Sequence, residues 1–137
     1  MIGVVQRDKI YREQKTALRC IENKDYRMNY NKAHKENKII KTNDIILIET
    51  LKFAYKLNNG KILPHILKYF EINTVNHNYN TRHKKDARTH KHRTAIYNKS
   101  VLNQAPYEWA KLDLNDKNKN FIKQFIADIK NKIISRY

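Results

Sequence analysis

A chain of 137 residues that holds only two glycines and two prolines is poorly equipped for an architecture that must turn tightly over and over. β-Sandwiches and barrels take their hairpin turns largely from glycine, whose missing Cβ permits the positive φ that such turns require. Their scarcity favours helices joined by polar connections. Apolar residues make up 40% and charged residues 31%, which is too apolar for a disordered tail and sufficient for one modest core. The expected fold is mainly α. It is a single small domain over residues 1–137, with about four to five helices, a long polar basic segment at 71–100, and room for one short β-hairpin.

Hydrophobic periodicity places these helices. Between Val4 and Asn23, the residues Ile10, Gln14, Ala17, Leu18 and Ile21 recur at helical spacing among Arg7, Arg12, Glu13, Lys15 and Arg19, which predicts an amphipathic helix with Cys20 on a half-buried face. The stretch from Lys24 to Lys41 is polar and irregular, so a long connection or weak helix is expected. Thr42-Asn43-Asp44 supplies residues that cap helix N-termini, and Ile45, Ile46, Leu47, Ile48, Leu51, Ala54, Tyr55 and Leu57 then form the central core helix. Asn58-Asn59-Gly60 ends it. Leu63-Pro64 opens a two-turn helix reaching Phe70. Residues 94–102 are rich in β-branched side chains and predict a strand or small hairpin, and Pro106 to Leu112 a brief helix carrying Trp109. A closing helix from about Asn118 buries Phe121, Ile122, Phe125, Ile126, Ile129, Ile133 and Ile134. There is no internal repeat and no sustained heptad.

Charge directs the functional expectation. Lys and Arg number 29 against 13 Asp and Glu, a formal net charge of +16, and such a field attracts polyanions. An AT-rich coding sequence would also raise Lys, Asn and Ile, and part of the excess is open to that explanation. The concentration at 82–93 is more specific: Arg82, Lys84, Lys85, Arg88, Lys91 and Arg93 stand against Asp86 alone. Such density suits phosphate contact with release of counterions. Immediately before it, His77, Tyr79, Asn80 and Thr81 add a ring that can stack on a base and polar groups that can bond a base or sugar edge. The bland alternative is a solvated loop that Tyr79 anchors to the core.

Other chemistries are disfavoured. Four His fall between residues 77 and 92, but there is no second Cys, no CxxC pair and no neighbouring acid except Asp86, so zinc spacing is not met and no metal is expected. Asp113 and Asp116 sit in a polar loop without a flanking apolar strand, which does not suit two-metal phosphoryl transfer. Glu49 has no evident partner, Cys20 lies on a periodic helix, and no Ser or Thr occupies a nucleophile motif. No catalytic site, cofactor or small-molecule substrate is expected. The N-terminal apolar run is too short for a signal peptide and no 18-residue apolar stretch occurs, so an intracellular location, nuclear or cytoplasmic, is expected.

His77-Asn78-Tyr79-Asn80-Thr81-Arg82 resembles the C-terminal region, thumb and following domain, of reverse transcriptases from non-LTR (LINE-type, jockey-like) retrotransposons. Further elements in order along the chain resemble the same family: Gln14-Lys15 with Ala17-Leu18-Arg19, Ile39-Ile40-Lys41 with Asp44-Ile45, Lys52-Phe53 with Tyr55-Lys56, Leu63-Pro64, Arg93-Thr94, Ser100-Val101, Pro106 with Trp109, and Phe125, Ile129-Lys130, Ile133-Ile134 and Tyr137. The chain departs from the family where Ala105 stands in place of Gly, Ala110 in place of Asn, and Lys111-Leu112 in place of Leu-Pro. The resemblance implies an RNA-directed DNA polymerase parent whose catalytic palm is not in this chain. It further implies template or primer binding, RNA or DNA, alongside the remainder of a reverse transcriptase. The rival expectation is a domesticated protein-interaction domain, using its helical core or basic loop to bind a protein.

Overall fold

A computed structural model describes residues 4–25, 27–70, 86–89 and 94–137. Among these the chain is mainly helical, in eight helices: α1 (Val4–Glu22), α2 (Tyr30–Glu36), α3 (Thr42–Asn58), α4 (Pro64–Leu67), α5 (Ala95–Asn98), α6 (Val101–Ala110), α7 (Leu114–Lys117) and α8 (Ile122–Ser135). They divide into two compact units, one of residues 1–48 with 126–137, the other of residues 49–125. No helix among the described residues is long and apolar enough to cross a membrane.

In the first unit, Leu18, Ala33, Ile48, Ile129 and Ile133 are buried. The buried stripe of α1 differs from the expected one. Ile21 is 62% exposed and Ile10 44%, Ala17 and Cys20 are exposed, and the inward side carries Leu18 with half-buried Tyr11, Gln14 and Lys15. Polar satisfaction explains the shift. The Gln14 amide donates to the Ile40 carbonyl at 2.7 Å and accepts from the Thr42 N–H and hydroxyl, each at 3.1 Å. Gln14 is thus a structural bracket between α1 and the start of α3. The helix α3 begins at Thr42 itself, so Thr42 lies within its first turn.

Of the two expectations for residues 24–41, a long connection or a weak helix, the structure shows a short helix, α2. Asn29 Oδ1 accepts from the N–H groups of Asn31 and Lys32, satisfying two of the donors that a helix start leaves without partners. The same short helix buries Ala33 and His34. Next to it, Tyr137 donates to Asp44 Oδ2 at 2.5 Å and accepts from the Lys41 N–H at 3.1 Å, while Lys41 Nζ stands 4.0 Å from the centre of its ring. Burial and this bond to Asp44 push the Tyr137 phenol well above its ordinary range.

Among the described residues, three helices close with the same chemistry. The backbone turns left-handed at Asn23, Lys38 and Gly60, with φ of 48°, 52° and 65°. In each case the next N–H reaches back five residues to a carbonyl of the last turn: Lys24 to Arg19, Ile39 to His34, and Lys61 to Lys56. These are Schellman closures. Glycine and asparagine are the usual occupants, and Lys38 is the exception.

In the second unit, Leu51, Ala54, Tyr55 and Leu57 of α3 are buried, along with Ala87, Ala105, Trp109 and Phe125. Its centre is aromatic. Tyr55 stacks on Phe125 with ring centres 5.0 Å apart and meets Trp109 edge-on at 6.3 Å, while Trp109 and Phe125 lie 5.9 Å apart. These separations fall in the favourable range for ring pairs. The Tyr55 hydroxyl donates to the Lys119 carbonyl at 2.8 Å, which gives the one polar atom of that side chain a partner.

Several expectations need correction in this unit, among them Phe121, which is 72% exposed just ahead of α8 rather than buried by it. The strand or hairpin expected at 94–102 is helical, as α5 and the start of α6, because Thr94 and Ser100 hold extended backbone just ahead of each helix. The cost of β-branched residues in a helix is only a few tenths of a kcal/mol, so burial of Ala105 and Trp109 decides the outcome. Pro106 does not start a helix at 106 but lies inside α6. The helix at Pro64 spans one turn rather than two. Asp113 lies in the exposed connection ahead of α7, as expected, whereas Asp116 is buried within that helix.

Candidate nucleic-acid interface

Of the residues expected to touch nucleic acid, His77, Tyr79, Asn80, Thr81, Arg82, Lys84, Lys85, Lys91 and Arg93 lie outside the described residues. Arg88 lies inside them and is exposed. Asp86, the only acid of the basic run, is buried. Its Oδ1 accepts from the Trp109 indole N–H at 3.0 Å, and its Oδ2 accepts from Lys117 Nζ at 2.7 Å. Both side chains of the ion pair are nearly closed to solvent, at 8% for Lys117 and 11% for Asp86. Lys117 Nζ is also 5.8 Å from the centre of the Trp109 ring.

Three elements build this arrangement. Trp109 comes from the buried side of α6, and Lys117 closes the short helix α7. Ala87, beside Asp86, is buried as well. A carboxylate removed from water requires partners for its oxygens, and here each oxygen has a strong donor. Arg88 and Thr89 follow directly and are both exposed.

The importance of Asp86, Trp109 and Lys117 was not apparent from the spacing of the chain. One signal did exist: a lone acid in a run of cations, and the single tryptophan of the sequence, both need an explanation. Glu49, which had no evident partner, pairs with Lys52 at 2.5 Å on the surface of α3. Among the described residues, no group of three or more His, Cys, Asp and Glu could hold a metal ion. A cleft of about 500 Å³ beside the end of α1 is lined by Thr16, Arg19, Cys20, Asn23, Lys24 and Asp25, and offers Cys20 no histidine as a base. Comparison of the chain with known protein families, characterised proteins and solved structures returns no match.

Proposed function

We propose that the chain is a nucleic-acid-binding module, derived from the C-terminal end of a non-LTR retrotransposon reverse transcriptase and without polymerase activity of its own. The observation that carries this is the run of six cations over residues 82–93, preceded by His77, Tyr79, Asn80 and Thr81, in a chain of net charge +16. Cations in that density neutralise successive phosphates, and a neighbouring ring gives a base a surface to stack on. The exposure of Arg88 two residues after the buried Asp86 supports it, because a phosphate contact needs an accessible cation. The ordered family motifs support the polymerase origin, and on that basis the partners are RNA or DNA and the remainder of a reverse transcriptase.

The test is binding of a fluorescein-labelled single-stranded oligonucleotide by the whole chain and by the Arg82→Ala, Lys85→Ala double variant. The wild type is expected to bind at low salt, and the double variant to lose roughly tenfold or more, as removal of two phosphate contacts requires. Absence of binding at low salt, or equal binding by both proteins, contradicts the proposal.

A further inference from the structure

We infer that Asp86 is a positioning residue for phosphate recognition: held by Trp109 and Lys117, it fixes the backbone from which Arg88 reaches a nucleic-acid phosphate. This rests on the nucleic-acid reading above and adds the device that makes one of its contacts specific in space.

The case starts from cost. A buried carboxylate paired with a buried ammonium is a poor way to gain stability, since taking both charges out of water offsets most of their attraction. An apolar pair of similar volume would serve a helical core as well. What an ion pair adds is direction: two oxygens and two donors fix the orientation of Asp86, where an apolar contact would let it slide. The residue so fixed lies in the most basic stretch of the chain, two positions before an exposed arginine. Pre-ordering the backbone that carries a binding side chain removes part of the entropy lost on association. Guanidinium is the group that gains most from this, because its bidentate geometry on phosphate depends on where its stem begins.

The pairing permits a discriminating experiment. Replacing Asp86→Ala together with Lys117→Met removes the anchor and keeps the net charge of the chain at +16. A chain that binds by total charge alone would not notice. The control is Glu108→Ala with Lys111→Met, which removes an ion pair on the surface of the same unit at the same net charge.

Binding of labelled single-stranded RNA to the full chain is measured for the wild type, both charge-neutral pairs, Arg88→Ala, and Arg88→Ala combined with the anchor pair. We expect the anchor pair to weaken binding by about fivefold to tenfold and the control pair to leave it unchanged. Arg88→Ala is expected to cost little further once the anchor is gone, because the two act through one contact. Trp109→Phe, which removes the N–H and keeps an aromatic ring in place, is expected to shift affinity the same way and serves if the anchor pair does not fold. Unchanged affinity in the anchor variants, or full additivity with Arg88→Ala, overturns the inference. A wild type that binds no nucleic acid overturns the reading of the ligand, and the rate of tryptic cleavage after Arg88 then decides the anchor alone. Faster cleavage in the anchor variants upholds it, and an unchanged rate overturns it.

Discussion

His34 shows how one side chain can tie stability to pH. It is fully buried between Tyr11, whose ring centre is 6.4 Å away, and Tyr137, at 5.7 Å. Its Nδ1 lies 2.9 Å from the Ile39 carbonyl, which can only accept, so Nδ1 carries the proton. Its Nε2 is buried without a partner. Burial, then the neighbouring Lys41 and Lys15, lower its affinity for a second proton, against the Ile39 carbonyl and Asp44, which raise it. The folded value therefore lies below the ordinary 6.5 of the unfolded chain. Above that pH both states are neutral and the contribution of His34 is complete; below it the unfolded chain takes up a proton first, and stability falls. Urea denaturation is expected to show a lower midpoint at pH 5.5 than at pH 7.5, about these two sides of the ordinary histidine value. The drop should shrink in His34→Leu; an equal drop in that variant would remove His34 as its source. Backbone geometry gives a second prediction at this scale. Lys38→Gly is expected to stabilise the chain by up to about 1 kcal/mol and Gly60→Ala to destabilise it by about as much, since a Cβ at Gly60 meets no atom within 4 Å and the penalty is the left-handed φ alone. Thermal melts of both variants check the two signs.

At the scale of elements, the long helices were legible in the sequence and the short ones were not. Helices α1, α3 and α8 carry enough turns for periodicity to emerge, and α3 starts at Thr42 and stops at Asn58, the first residue of its Asn58-Asn59-Gly60 signal. Even there the inward stripe of α1 is not legible, because an apolar count does not encode that Gln14 is held by three hydrogen bonds and that Ile21 meets solvent. Helices α2, α5 and α7 are too short to show a period, and their existence depends on a cap, a buried face or a neighbouring helix. Asn29→Ala is expected to cost about 1 kcal/mol, measured by chemical denaturation, and a null effect would mean that burial of Ala33 and His34 alone keeps α2 in place. The basic run was legible as composition. Its anchor was not, because Asp86 meets Trp109 and Lys117 across 23 and 31 residues of sequence, a separation that no local pattern encodes.

For the molecule as a whole, charge and helical content together narrow what the chain can do. A net charge of +16 on 137 residues disfavours self-association through like surfaces and favours a polyanionic partner. A protein-interaction role, through the helical core or the basic loop, predicts a complex that survives ribonuclease. A nucleic-acid role predicts steep dependence on salt, because each neutralised phosphate of a single strand contributes a slope of about −0.7 in log K against log salt. The most direct measurement is therefore the affinity of the full chain for a single-stranded oligonucleotide across a salt series. A slope of about −2 to −4, from roughly three to six phosphates neutralised, is the expected result. A slope near zero, or no binding at the lowest salt, would contradict the account.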